Sequence, residues 1–118
     1  GAAQLPDGMP LVQQVCTDVS NAPVSPKLRA LLDIAAAVQK GGLSVTQELV
    51  DAARTEGATD TEIHDCVLIA AAFCMFNRYV DGLGTFAPDD QEMYSSRAQR
   101  IVDIGYVGLL AESAAETR

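Results

Sequence analysis

The stretch that decides the fold runs from Thr59 to Gly84 and reads TDTEIHDCVLIAAAFCMFNRYVDGLG. Thr59 and Glu62 have the Thr-x-x-Glu spacing of a capping box, in which each side chain accepts a hydrogen bond from the other residue's backbone N–H. The segment is apolar all round between Cys66 and Phe76, and a helix without a polar face must be covered on every side. We therefore predict one long capped helix at the centre of a bundle, with part of its cover supplied by another subunit.

Three shorter helices are predicted before this segment. The first runs from Leu11 to about Val19. The second begins at Pro26, because proline suits the first helical position and Ser25 can cap the helix. The third opens on the Ser-x-x-Gln sequence at residues 44–47, which we interpret as a second capping box.

A fifth helix is predicted after the long one. Pro88 and Asp89-Asp90 suit its first turn, where negative charge complements the helix macrodipole. No stretch alternates between apolar and polar residues as a half-buried strand does. The sequence therefore predicts one all-α domain of about five helices over residues 1–118, with flexible ends at 1–10 and 112–118.

The composition argues against two kinds of partner. Eight basic residues against sixteen acidic ones give a formal net charge of −8, and the basic residues are scattered along the chain. Phosphate backbones and anionic membranes repel such a chain, so we expect no nucleic-acid partner. The longest uncharged run in the apolar middle, Cys66–Asn77, is well short of the ~20 residues that span a bilayer, so we expect no membrane partner.

The three cysteines, Cys16, Cys66 and Cys74, form an odd set without a secretory segment before them. That pattern indicates a reducing, cytoplasmic setting rather than a disulfide scaffold. Cys66 and Cys74 would lie roughly 12 Å apart along the long helix, which is too far for a disulfide. A buried thiol among apolar side chains is usually an unreactive small hydrophobe, and this is one interpretation of both residues.

Cys74 is the stronger candidate for chemistry. Asn77, Arg78 and Asp81 follow it at i+3, i+4 and i+7, so the four residues share one side of the helix. A guanidinium near a thiol favours the nucleophilic thiolate, and we take Asn77, Arg78 and Asp81 as candidate substrate-binding residues. The alternative is that Arg78 and Asp81 form an ordinary salt bridge.

His64 is the only imidazole in the chain and lies near the start of the long helix. It could act as a general base or proton relay, and the alternative is an exposed surface histidine. A metal site would need His64 to converge with Glu62 or Asp65 and with Cys66, but adjacent helix positions point around the axis. We therefore expect no metal, and no cofactor.

Three segments carry a family resemblance, namely SPKLRALL at residues 25–32, GATDTEI at 57–63 and FNRYVDGLG at 76–84. Over residues 25–84 the chain resembles the alkylhydroperoxidase D-like (AhpD-like) and carboxymuconolactone decarboxylase superfamily. More closely, it is similar to the later half of the peroxidase-related members. The resemblance implies an AhpD-like helical bundle that assembles into homo-oligomers, as dimers, trimers or hexamers.

Peroxidase members of that superfamily use a Glu, a CxxC pair and a later His, and a dithiol partner such as a lipoyl group regenerates the thiols. By the resemblance, Glu62 stands at the position of the proton-relay Glu and Cys74 at that of the first Cys. Asn77 replaces the second Cys and Asp81 replaces the His, and a straight helix would leave Glu62 roughly 18 Å from Cys74. The candidate catalytic residues are therefore Cys74, Glu62 and His64, in an incomplete site.

Three functions follow as hypotheses. The first is a peroxidase-related redox protein that uses Cys74, with a dithiol reductant or a CxxC-bearing half from another chain as its partner. The alternative is a non-catalytic helical module that self-associates or binds a small apolar ligand between its helices. Decarboxylase or lactone chemistry is a third option, which would rely on Arg78 and His64 to hold a carboxylate substrate.

Overall fold

The computed structural model describes residues 6–87 and 89–116. All regular structure in these residues is helical, as the sequence predicts, and no strand occurs among them. We label the helices in chain order: α1 is Gly8–Thr17, α2 is Pro26–Lys40, α3 is Gln47–Thr55, α4 is Asp60–Gly82 and α5 is Gln91–Glu116. These residues form two compact units: 10–85, which holds α2, α3 and α4, and 6–9 with 86–116, which consists mainly of α5.

The predicted N-caps of α2 and α4 are confirmed. Ser25 Oγ accepts a hydrogen bond from the Leu28 N–H at 3.1 Å, and Pro26 is the first residue of α2. At α4, Thr59 Oγ1 accepts from the Glu62 N–H at 3.1 Å, while Glu62 Oε2 accepts from the Thr59 N–H at 2.8 Å. The reciprocal pair is a capping box, and α4 then runs unbroken for 23 residues.

The capping box predicted at residues 44–47 is wrong. Ser44 is the last residue of a short 3₁₀ turn, Gly42–Ser44. Thr46 caps α3 instead, and its Oγ1 accepts from the backbone N–H three residues further on at 3.4 Å. Gln47 does not bond back to the cap, because its side chain donates to a carboxylate one turn along α3 at 2.9 Å.

Two helix starts also differ from prediction. α1 begins at Gly8 rather than Leu11, and Pro10 lies in its first turn. A proline is tolerated there because the first backbone N–H groups of a helix have no partner within it. α5 begins at Gln91, so Asp89 and Asp90 precede the helix instead of forming its first turn, and Pro88 lies outside the described residues.

α5 is broken in its middle. Gly105 has φ 68° and ψ 174°, a conformation that is essentially restricted to glycine. Arg100 and Glu112, on either side of the break, form an ion pair. In a straight helix these two residues would be about 18 Å apart, so the two halves of α5 turn back towards each other. The described part stays helical to Glu116, and flexibility of residues 112–118 stays a prediction.

The core of the larger unit lies where α2, α3 and α4 meet. Its buried residues are Ile34, Ala53, Ala58 and Ile63. Lys27 contacts Glu62, and the Cys66 thiol contacts the Leu31 carbonyl, so the contacts advance along α2 and α4 in the same direction. The two helices therefore run parallel, and α3 makes the return connection between them.

Within residues 10–85, the outer side of α4 is uncovered. Ile63 is its one buried residue, whereas Phe73, Phe76 and Tyr79 are 65%, 57% and 66% exposed. Within this unit α2 and α3 cover only one side of α4, and the cover from another subunit stays a prediction. By length and composition alone, α4 is also long and apolar enough to cross a bilayer.

Candidate functional site

Cys74 and Arg78 lie together in a cavity of about 320 Å³. This thiol cavity is formed where the end of α2 and the following turn meet the middle of α4, and its lining residues are Val38, Gly41, Gly42, Val45, Val67, Ala71, Cys74 and Arg78. The four residues from α4 stand at i, i+4, i+7 and i+11, which places them on one face of the helix. Helical spacing therefore brings the thiol and the guanidinium to the same cavity.

The thiol cavity contains two reactive groups, the Cys74 thiol and the Arg78 guanidinium, and its other walls are apolar. Cys74 is half-buried, and the other side chains around it are aliphatic. Residues four apart on a helix are direct neighbours, so the guanidinium stands next to the thiol. The arrangement can therefore hold a small, largely apolar molecule beside a nucleophile.

The salt bridge that the sequence offered as an alternative does not form. Arg78 makes no ion pair with Asp81 within the part of the chain that the structure describes. Asn77 and Asp81 are exposed and do not line the thiol cavity. Of the three candidate substrate-binding residues, the structure therefore brings only Arg78 to Cys74.

Glu62 lies elsewhere, and both of its carboxylate oxygens are engaged. Oε1 accepts from the Lys27 ammonium at 2.8 Å, and Oε2 accepts from the Thr59 N–H at 2.8 Å. The bond from Lys27, and next the bond from Thr59, hold the pKa of the Glu62 carboxyl below its ordinary value. In this chain the carboxylate joins α2 to α4 and caps α4, and it does not reach Cys74.

His64 is also apart from Cys74. Its Nδ1 lies 3.1 Å from Asp65 Oδ1, and the side chain is 72% exposed. That position fits the surface histidine that the sequence offered as an alternative. Neither His64 nor Glu62 is brought to the thiol within one copy of the chain.

A second cavity, the α2–α4 groove, has a volume of about 410 Å³. Its walls are aliphatic apart from two carboxylates and one thiol, and its lining residues are Leu28, Leu31, Leu32, Ala35, Glu62, Asp65, Cys66, Ile69 and Ala70. The Cys66 thiol donates to the Leu31 carbonyl at 3.1 Å, and burial raises its pKa. A thiol held protonated in this way is a poor nucleophile, which agrees with the interpretation of Cys66 as a small hydrophobe.

Sequence reasoning missed two parts of these sites. Lys27 is the partner of Glu62 across 35 residues of sequence, and no local spacing signals such a pair. The Gly41-Gly42 pair forms a wall of the thiol cavity, although in the sequence it is recognisable only as the end of a helix. The available signal is that two glycines, which have no side chain to fill space, stand shortly before the apolar Val45.

A comparison with protein-family models identifies the chain's relatives. The model of the carboxymuconolactone decarboxylase family matches residues 6–87, which is more than half of the chain and includes α1 to α4. A search among curated proteins and a search among solved structures each found no match. The all-helical fold and the match agree with the resemblance found in the sequence. The chain therefore belongs to the carboxymuconolactone decarboxylase family.

Proposed function

We propose that this protein is a thiol-dependent redox member of its family, related to the peroxidases, in which Cys74 is the reacting group. The observation that carries the proposal is the cavity that Cys74 shares with Arg78. The other two cysteines have different surroundings. The Cys66 thiol donates to a backbone carbonyl, and burial raises the pKa of that thiol. Cys16 is exposed on α1. Cys74 is thus the thiol with both a cation beside it and room for a substrate.

The proposed reaction is the reduction of a small hydroperoxide. The Cys74 thiolate attacks the terminal peroxide oxygen, the O–O bond breaks, and the leaving alkoxide takes a proton from solvent to become an alcohol. Cys74 is thereby oxidised to a sulfenic acid. An external dithiol then attacks the sulfenic sulfur, releases water as a mixed disulfide forms, and resolves that disulfide with its second thiol, which returns Cys74 to the thiol.

Arg78 has two roles in this proposal. It lines the same cavity as the thiol, where its guanidinium can hold the peroxide, and it is placed to stabilise the negative charge that develops on the leaving oxygen. Because Asn77 stands where a second cysteine would serve and Glu62 is engaged with Lys27, the chain depends on an outside dithiol or on a CxxC-bearing chain. A reducing compartment such as the cytoplasm would suit such a site.

The second candidate is a non-catalytic helical module that binds a small apolar ligand. The observation that favours it is the α2–α4 groove, whose volume and aliphatic walls suit a small hydrocarbon. In this candidate, Cys74 would be one more small side chain beside a cavity. The two candidates differ in whether peroxide is consumed.

The test is a turnover assay with an alkyl hydroperoxide and dihydrolipoamide as the dithiol. The parent chain should consume peroxide, Cys74→Ser should abolish consumption, and Cys66→Ser and Cys16→Ser should retain it. Peroxide consumption that is unchanged in Cys74→Ser, or absent from the parent chain, would contradict the redox proposal and favour the binding module.

A further inference from the structure

The thiol cavity has a reactive end and an apolar end. Its lining residues from α4, in chain order, are Val67, Ala71, Cys74 and Arg78, which extend over about 16 Å of the helix axis. The thiol and the guanidinium stand at the later end of this row. At the other end, Val67 and Val45 pack against the buried core. A molecule that reacts at the thiol therefore has an apolar wall for its hydrocarbon part in the direction of Val67.

A pair of glycines forms the wall beside the reactive end. Two hydrogen bonds join α2 to α4, and each links residues that are 35 positions apart in the sequence. In that register, residues 39–43 lie beside residues 74–78. Gly41 and Gly42 belong to this segment, and both line the cavity. The chain therefore passes the thiol and the guanidinium with two residues that have no side chain to fill the space.

The local fold does not require a glycine at position 42. The φ angle of Gly42 is negative, so residues with a side chain can adopt the same backbone conformation. A Cβ built on Gly42 would meet no atom within 4 Å, so no neighbouring group blocks a larger residue. What the glycine provides is therefore open space at the edge of the thiol cavity, rather than a turn that only glycine can make.

The open space suits a compact organic group. The thiol cavity has a volume of about 320 Å³. An apolar cavity of about 150 Å³ already holds benzene, so a phenyl-substituted alkyl group can be accommodated beside the thiol. Hydrogen peroxide would leave most of the same cavity empty. A leucine at position 42 would compete for this room, since its side chain has as many carbon atoms as a tert-butyl group.

We propose that Gly42 determines substrate specificity, because it admits hydroperoxides with a bulky apolar group, such as cumene hydroperoxide, whose hydrocarbon part lies along α4 towards Val67. Because the substrate is that of the proposed reaction, this inference rests on the proposed function. The Cys74 sulfur takes the terminal oxygen, and the cumyl alkoxide leaves and takes a proton from solvent to become cumyl alcohol. The external dithiol supplies the electrons that return the sulfenic acid to the thiol.

Turnover of two peroxides tests the specificity, with dihydrolipoamide as the dithiol. The measured quantity is the ratio of kcat/KM for cumene hydroperoxide to kcat/KM for hydrogen peroxide. The ratio should fall in Gly42→Ala and further, at least about tenfold, in Gly42→Leu, because a methylene-sized change in an apolar pocket is already worth about that factor.

Gly82→Leu is the matched control for the turnover test. A Cβ at Gly82 also meets nothing within 4 Å, but Gly82 does not line the thiol cavity, so the ratio should stay at the parent value. An unchanged ratio in Gly42→Leu, or an equal fall in Gly82→Leu, would overturn the proposal. If Gly42→Leu does not fold, an unchanged ratio in Gly42→Ala would overturn it.

Protection of Cys74 from alkylation tests the same room without any turnover. Cumyl alcohol should slow the reaction of Cys74 with iodoacetamide in the parent chain, as scored by mass spectrometry of the Cys74 peptide. The protection should be lost in Gly42→Leu and kept in Gly82→Leu. This result in a chain that consumes no peroxide would refute the proposed reaction and still support Gly42 as the residue that admits the ligand. Absent protection in the parent chain, or equal protection in Gly42→Leu, would overturn the inference even where peroxide is consumed.

Discussion

The Lys27 ammonium lies 2.8 Å from Glu62 Oε1 and joins the first turn of α2 to the first turn of α4. The other oxygen of Glu62 caps α4 through Thr59. One carboxylate therefore fixes both the start of the longest unbroken helix and its position against α2. This relationship gives Glu62 a structural role at the place where the superfamily resemblance suggests a proton relay.

Glu62→Gln should lower stability in a pH-dependent way. Its folded pKa lies below the ordinary 4.5, so the stabilisation is fully present above 4.5 and is lost as the pH falls through the folded pKa. Urea unfolding should show a lower midpoint for Glu62→Gln than for the parent at neutral pH and converging midpoints in acid. Asp81→Asn, an exposed carboxylate of the same helix, is the control and should show no such convergence. A difference that persists unchanged in acid would contradict the account.

Thr59 and Ser44 each begin a capping-box sequence, but they should contribute differently to the stability of the chain. Thr59→Ala should destabilise the chain by about 1 kcal/mol, because it removes the side-chain acceptor of a capping box. Ser44→Ala should be nearly neutral, since Ser44 caps no α-helix. Thermal unfolding followed by circular dichroism measures the stability of both variants. Equal losses of stability would indicate that Ser44 does cap α3, as the capping box at residues 44–47 predicts.

Gly105→Ala should be costly although no atom blocks the new methyl group. A Cβ at Gly105 would meet nothing within 4 Å, so the penalty of about 1–3 kcal/mol comes from the backbone conformation alone. Gly57→Ala, at φ 88° and equally open, is a matched control in the other unit. Chemical unfolding measures both; Gly105→Ala without any loss would contradict the break in α5.

Arg78→Gln should slow the oxidation of Cys74 by peroxide roughly tenfold, because the charge that develops on the leaving oxygen loses its cationic partner and about 1.4 kcal/mol on the barrier is a factor of ten. Arg78→Lys should retain most of the rate. Arg54→Gln is the control, since Arg54 pairs with Asp60 away from the thiol cavity. Stopped-flow competition with a fluorescent peroxide probe gives the rate constants, and equal rates for Arg78→Gln and the parent would remove Arg78 from the mechanism.

The sequence predicts what local spacing determines. The caps at Ser25 and Thr59 depend on residues within one helical turn, and both are confirmed. The failure at Ser44 has a local cause too. Two hydroxyl residues stand two positions apart, and the 3₁₀ turn that begins at Gly42 decides between them.

Contacts between residues far apart in the sequence could not be predicted from local spacing. The Lys27–Glu62 pair and the wall that Val38 contributes to the thiol cavity depend on how α2 packs against α4. Side-chain periodicity tells which face of a helix is apolar, but it does not tell which neighbour covers that face. The sequence therefore predicts that α4 is apolar, but it does not predict which of its sides α2 and α3 cover.

Cys74 should react before the other two thiols, and mass spectrometry tests this order most directly. The folded chain is treated with a stepwise series of hydroperoxide concentrations, sulfenic acid is trapped with dimedone, and each cysteine is scored by its peptide. We expect Cys74 to be labelled at the lowest concentrations, well before Cys66 and Cys16. Equal and slow labelling of all three, or earlier labelling of Cys66 or Cys16, would contradict it.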